Sequence, residues 1–316
     1  MTTAKNNPIN QKRKITIFSD FDGTIFMQDT GHVLVDAHGC GAEYRNRLEE
    51  QFKSGERTFR DISEDMWGSM TIPFDDDLAL IVKNGLEIDP GFVEFHQYCV
   101  DNGFPFNVIS AGLKPVLKRV LDAFLGEKAA TSIDIIANDA LLTAAPGSPW
   151  KPIWRDETHS GHDKAMSMHL GRAQAQKESM PDEIPLIVFI GDGVSDLAAA
   201  GEADVLFARR GLRLEQHCIE HNIPYKPFTN FLEIKREIEA ISREDQQKTG
   251  GVGKPVPFNP RANMWRAISS KNAVPTLMTT ATPSREEKMF LWPDTFTQSK
   301  GSTQPTDGGK EENVLP

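Results

Sequence analysis

KITIFSDFDGTI, residues 14–25, is the stretch on which the reading of the whole chain turns. Ile15, Ile17 and Phe18, with Thr16 between them, have the β-branched and apolar character of a buried strand. The strand stops abruptly in Asp20-Phe21-Asp22-Gly23-Thr24. Two carboxylates at the carboxyl end of an apolar strand are costly unless something pairs with them. The glycine after them lets the backbone turn sharply. In an open α/β sheet, ligands bind in the crevice beyond the strand ends. An aspartate there can also act as a nucleophile toward phosphorus, forming an aspartyl-phosphate.

Outward from this stretch, strand and helix patterns alternate. Residues 104–109 (FPFNVI), 133–137, 186–190 (LIVFI) and 205–208 read as strands. LIVFI is continuously apolar, as expected when both faces of a strand are covered. Asp89-Pro90 reads as a helix start, an N-cap followed by proline at the first helical position. Residues 115–125, 162–176, 212–221 and 231–241 read as further helices, and 139–161 as a Pro/Gly-rich excursion with room for a short hairpin. The alternation predicts an α/β fold, a doubly wound parallel sheet with right-handed crossovers.

Residues 27–86 interrupt that alternation with helical periodicity: Tyr44, Leu48 and Phe52, then Phe59, Ile62 and Met66. Asp75, Asp76 and Asp77 read as the acidic first turn of another helix. The segment is too long for a simple crossover and is expected to be an inserted helical cap. That divides the chain into a core of residues 14–26 and 87–245, a cap of 27–86, and a remainder of 246–316. The remainder is rich in Gly, Pro, Thr, Ser, Lys and Glu, so it is expected to be a disordered tail. Its clusters around Trp265 and Trp292 are candidate docking points for a protein partner or for the core.

Net charge is −10, from 35 basic and 45 acidic residues. Such a field repels nucleic acid and anionic membrane, and a phosphorylated substrate would need a local positive site. No apolar run approaches the ~20 residues that span a bilayer, and the N-terminus lacks a signal peptide's apolar stretch. Cys40, Cys99 and Cys218 are widely spaced without a CxxC, consistent with reduced thiols in a cytoplasmic protein. Lys12-Arg13-Lys14 runs straight into the first strand and is set aside as a nuclear signal.

Four pieces with chemistry fall at strand or helix ends on one expected rim. Asp20 with Asp22 is the first. Ser110 with the Ala111-Gly112 turn offers a hydroxyl and backbone N–H groups to phosphate oxygens. Lys164 is the local positive charge. Asp192 and Asp196 lie four residues apart in GDGVSD. His159, His162 and His169 invite a zinc site, set aside because Lys164 already has a role between them.

In this order the pieces resemble the four motifs of the haloacid dehalogenase superfamily, with GDGVSD the most specific; the resemblance covers about residues 14–240. It implies that Asp20 is the nucleophile, and that Asp22 is first the general acid and then the base for water. Ser110, Ala111, Gly112 and Lys164 would hold the phosphoryl oxygens. Mg²⁺ would be ligated by Asp20, Asp192 and the main-chain carbonyl of Asp22, with Asp196 fixing Lys164 or a metal-bound water. A second acid at Asp22 goes with phosphatases. The cap resembles that of phosphoserine phosphatases. DFDGTI followed by Asp29, with VLFAR and CIEHNIPYKPF later, is closest to the methionine-salvage branch, which acts on a methylthio-keto-pentene phosphate. Asp29 lies where serine phosphatases place a Glu facing the substrate amine, and Arg60 resembles a substrate-binding arginine. The implied function is a Mg²⁺-dependent phosphatase of a small phosphorylated metabolite. The alternatives are a sugar- or polyol-phosphate phosphatase and a non-catalytic domain recruiting a partner through its tail.

Overall fold

The computed structural model describes residues 13–74, 85–142 and 147–253. Strand β1 (Ile15–Ser19) lies in the middle of a seven-stranded sheet of order β4-β3-β2-β1-β5-β6-β7. Strands β2 (Phe106–Leu113), β3 (Ile133–Leu141), β5 (Leu186–Gly191), β6 (Val205–Arg209) and β7 (Lys226–Phe228) run parallel to their neighbours. Only β4 (Lys151–Ile153) is antiparallel, folding back on β3 as a hairpin arm. Every residue of β1 and β5 is buried. Leu186, Val188 and Ile190 enter one apolar cluster, and Ile187 and Phe189 the other, so the sheet is covered on both faces.

Helices α1 (Thr30–His38), α2 (Gly41–Lys53) and α3 (Phe59–Gly68) follow β1. Asp29 caps α1 by accepting from the His32 N–H, and Thr58 and Asp61 form a reciprocal capping box at α3. The two linkers of this insertion pair with each other. Met27 N–H donates to Glu87 O (2.9 Å) and Asp89 N–H to Ile25 O (2.8 Å). Leu34, Leu48, Ile62, Met66 and Trp67 bury against the same cluster as the sheet, so the inserted helices share its core. Trp150, fully buried ahead of β4, stacks on Trp67 and donates its indole N–H to Ile72 O (3.0 Å).

Helices α4 (Phe92–Asn102), α5 (Lys114–Leu125), α6 (Glu127–Ala130), α7 (Lys164–Glu178), α8 (Leu197–Ala200), α9 (Arg213–Glu220) and α10 (Phe231–Thr249) complete the described elements. Among the described residues no helix is long and apolar enough to cross a membrane.

Three expectations about boundaries need correction. The second strand runs on to Leu113, past Ser110, with a register shift between Ile109 and Leu113. Asp89-Pro90 precedes the helix rather than opening it, because Asp89 Oδ1 turns back on the Gly91 N–H (2.9 Å) and α4 begins at Phe92. The last helix, expected over 231–241, runs to Thr249, and the Val252 carbonyl beyond it accepts from Ile184 N–H. Asp75 to Asp77 and residues 254–316, with Trp265 and Trp292, lie outside the described residues.

Candidate active site

The carboxyl ends of β1, β2 and β5 bring Asp20, Ser110 and Asp192 to one rim, as β1 pairs directly with both other strands. Asp163 caps α7 and so places Lys164 at its first turn. Lys164 Nζ donates to Asp20 Oδ1 and to Asp196 Oδ1, both at 2.9 Å. Asp196 Oδ2 accepts from the N–H groups of Asp192 (3.0 Å) and Gly193 (3.1 Å). Both oxygens of Asp196 are therefore committed, which makes it a brace for Lys164 and for the loop of Asp192.

Asp192 Oδ1 accepts from the Thr24 hydroxyl at 2.7 Å. Gly23, with φ of 77°, leaves the room this approach needs: a Cβ there would lie 2.4 Å from Asp192 Oδ2. Gly191 does the same for Asp196, whose Oδ2 would lie 2.5 Å from a Cβ. Gly23 is thus required by the closeness of the two loops, and Gly191 by the turn of its own loop back on Asp196.

Asp20, Asp192 and Asp196 present carboxylate oxygens within 4.8 Å of one another. Three acids face one ammonium, and the electrostatics show the excess. Burial and then the Asp196 charge push Asp20 up to about 7. Burial, then Asp196 and Asp20, hold Asp192 well above the usual carboxylate range. Burial works against the charge on Lys164, but Asp196 and Asp20 outweigh it and raise its pKa. A site of hard oxygen donors with surplus negative charge fits Mg²⁺. Asp192 accepts one hydrogen bond, from Thr24, through Oδ1.

Asp22 points elsewhere. Its Oδ1 accepts from the Thr30 N–H at 2.8 Å, at the first residue of α1. Burial, then the neighbouring Asp29, raise its pKa well above the usual carboxylate range, which favours the protonated form. Asp29 itself is spent on α1: its Oδ1 accepts from His32 N–H (2.8 Å).

Ser110 is 1% exposed, with its Oγ accepting from the Gly112 N–H (3.0 Å). Its carbonyl lies 2.8 Å from His162 Nδ1, and His162 Nε2 lies 2.8 Å from Ser167 Oγ. A carbonyl only accepts, so Nδ1 carries the proton and Nε2 accepts from the serine. Burial lowers His162 to about 4, keeping it neutral. The residue first weighed as a zinc ligand thus ties the Ser110 turn to α7. Asn138 braces the same turn through Ala111 O (2.8 Å).

Arg60 lies apart from this group. It pairs with Glu157 (3.0 Å) and its guanidinium sits 5.4 Å from the Trp154 ring centroid, joining α3 to the loop ahead of α7. His162 was considered from sequence only as a zinc ligand, and Thr24, Thr30 and Asn138 were not singled out. Thr24 alone had a signal, as the last residue of DxDGT.

The model of the haloacid dehalogenase-like hydrolase family matches residues 17–201. Pdp3-interacting factor 1 of Schizosaccharomyces pombe is 34% identical over 232 residues, covering 73% of this chain and 97% of that protein. Polyol phosphate phosphatase PYP1 of Saccharomyces cerevisiae is 33% identical over 229 residues, covering 72% and 94%. A 2-hydroxy-3-keto-5-methylthiopentenyl-1-phosphate phosphatase of Bacillus cytotoxicus is 28% identical over 229 residues, covering 72% and 97%.

Proposed function

We infer the function from one premise: this chain belongs to the haloacid dehalogenase-like hydrolase family. It is a phosphatase that hydrolyses a phosphate monoester of a small polyol or related metabolite through an aspartyl-phosphate. The observation that carries this reading is the pairing of roles within DxD. Asp20 sits 2.9 Å from the Lys164 ammonium, while burial and the nearby Asp29 raise the pKa of Asp22, two residues on, and so favour its protonated form.

Asp20 attacks phosphorus, the phosphorus–oxygen bond to the leaving group breaks, and Asp22 gives its proton to the departing oxygen. The Asp22 carboxylate then takes a proton from a water that attacks the same phosphorus. Asp20 leaves as a carboxylate and inorganic phosphate is formed. Ser110, the Ala111-Gly112 backbone and Lys164 hold the phosphoryl oxygens. Asp20, Asp192 and the main-chain carbonyl of Asp22 would hold Mg²⁺, which would offset charge on those oxygens. Residues 27–86 act as a cap that excludes water and selects the leaving group. Cysteines without disulfides and a metabolite substrate accord with a cytoplasmic protein.

Two observations favour a polyol phosphate over the other readings. Identity to the yeast polyol phosphate phosphatase is 33%, against 28% to the methylthiopentenyl phosphatase. Asp29 is engaged in capping α1, which leaves it poorly placed to meet a substrate amine. The test is turnover of a panel of polyol phosphates, the methylthiopentenyl phosphate, phosphoserine and nitrophenyl phosphate, with Mg²⁺ and with EDTA. Polyol phosphates should give the highest kcat/KM, and only with Mg²⁺. Preference for phosphoserine would overturn the substrate class. No turnover of any ester would leave the non-catalytic alternative standing.

A further inference from the structure

Arg209 ends β6 in none of the four motifs, yet its guanidinium joins the site to the base of the inserted helices. The residue is 8% exposed. Nη2 donates to Thr24 O and to Asp89 Oδ2, the latter at 2.9 Å; Nη1 donates to Thr229 O at 2.6 Å. The guanidinium also stacks over Phe228, 4.7 Å from its ring centroid. Asp89, 1% exposed, accepts through Oδ1 from Gly91 N–H (2.9 Å) and Phe231 N–H (3.1 Å). Its own N–H closes on Ile25 O, where the insertion leaves and rejoins the sheet. Thr24, held by its carbonyl, gives its hydroxyl to Asp192 Oδ1 at 2.7 Å. A continuous path therefore runs from Asp89 through Arg209 and Thr24 to Asp192.

A buried ion pair is weak evidence of a stability role, because desolvation offsets the attraction. What a guanidinium adds is geometry: a planar fork that fixes several acceptors at once. Here the fork holds Thr24 in the one place from which its hydroxyl reaches Asp192. Groups that orient a metal ligand from behind typically control metal affinity 10–100-fold.

We propose that Arg209, with Asp89 as its counter-ion, is a positioning residue that holds Thr24 so that the Thr24 hydroxyl aims Asp192 at the cation site. It thereby sets Mg²⁺ affinity and fastens the base of the inserted helices to the same frame. The proposal rests on the Mg²⁺ reading above.

The test is calorimetric titration of Mg²⁺ into the full chain, with folding of each variant checked by circular dichroism. Arg209→Met and Thr24→Val should each weaken Mg²⁺ binding by about tenfold or more. The double variant should be no weaker than the worse single one, since both act on Asp192 through one hydroxyl. Arg209→Lys keeps the charge without the fork and should restore only part of the affinity. If Arg209→Met does not fold, Asp89→Asn replaces it: the amide oxygen can still accept from Gly91 and Phe231, while the charge facing Arg209 is gone. Wild-type Mg²⁺ affinity in a folded Arg209 or Asp89 variant, even one with a lowered Tm, would overturn the positioning role. Additive losses in the double variant would overturn its route through Thr24. A wild-type protein that binds no Mg²⁺ overturns the cation reading and this inference with it, a pattern distinct from variant-specific failure.

Discussion

Asp20 and Asp22 are two residues apart, yet their side chains meet different surroundings. Asp20 touches the Lys164 ammonium, which stabilises its carboxylate. Asp22 is buried, accepts from the Thr30 N–H and lies beside Asp29, and burial and that neighbouring acid raise its pKa. This difference accords with the proposed roles of Asp20 as nucleophile and Asp22 as acid. Asp20→Asn should abolish turnover with every ester, since it removes the atom that accepts phosphorus. Residual activity above about one per cent, once deamidation is excluded, contradicts that role. Asp22→Asn should depend on the leaving group. General acid–base help is typically worth ~10²–10⁴, and an aliphatic alkoxide needs the proton where nitrophenolate does not. Rapid-quench kinetics should show a nitrophenol burst followed by slow turnover, and no comparable burst with an aliphatic ester. Equal first-step defects for both esters would remove Asp22 from the acid role.

At the scale of elements, the inserted helices and α10 carry predictions that do not involve catalysis. The capping box at α3 satisfies two orphan groups reciprocally, so Thr58→Ala should cost ~1 kcal/mol in a denaturant titration. Helix α10 ends in a left-handed Gly250 (φ 70°), and Thr249 Oγ1 accepts from the Gly253 N–H (3.1 Å). The following Val252 supplies the acceptor for Ile184 N–H, beside the start of β5 (2.9 Å). A chain ending at residue 245 loses the last turn and leaves Ile184 without that partner. A chain ending at residue 253 keeps both. The shorter chain should melt lower by roughly 2–4 °C for each kcal/mol lost, whereas the longer should match the full chain. Equal melting temperatures for the two truncations would show that the end of α10 adds nothing.

For the molecule as a whole, the uncompensated acids make stability a function of pH and metal together. The folded-state pKa of Asp20 is raised from 3.8 to about 7, and Asp22 and Asp192 move the same way. A raised folded pKa means that the stability of the protonated form is fully present below the unfolded value. For Asp20 it is lost as pH rises through about 7. His162 acts in the opposite sense: its depressed pKa contributes stability present above 6.5 and lost as pH falls through about 4. The two partly cancel in a metal-free melt. Mg²⁺ isolates the carboxylates, because it binds their charged forms and leaves His162 unaffected. The rise in Tm on adding Mg²⁺ should therefore grow from pH 5 to pH 7.5. A Mg²⁺ effect that is flat or shrinking over that range would mean that the raised carboxylates do not hold the cation.

The parallel sheet and the gathering of Asp20, Ser110, Lys164 and Asp192 at one rim could be read from sequence. Each of these rests on local pattern: apolar runs that only a covered strand tolerates, and polar residues stranded at their ends. The hairpin after β3 and the start of α4 were blurred, because turn chemistry around Asp89-Pro90 mimics an N-cap. Tertiary structure alone decided which partner each side chain finds. Asp89 looked like a helix cap, but its second oxygen faces Arg209, 120 residues away. Thr24 meets Asp192 across 168 residues. Asp196 is wholly occupied by Lys164 and two backbone N–H groups. The raised pKa of Asp22 follows the same logic, since its burial is a product of the folded chain. Periodicity is a property of neighbours along the chain, whereas these contacts and charges arise only when distant elements dock.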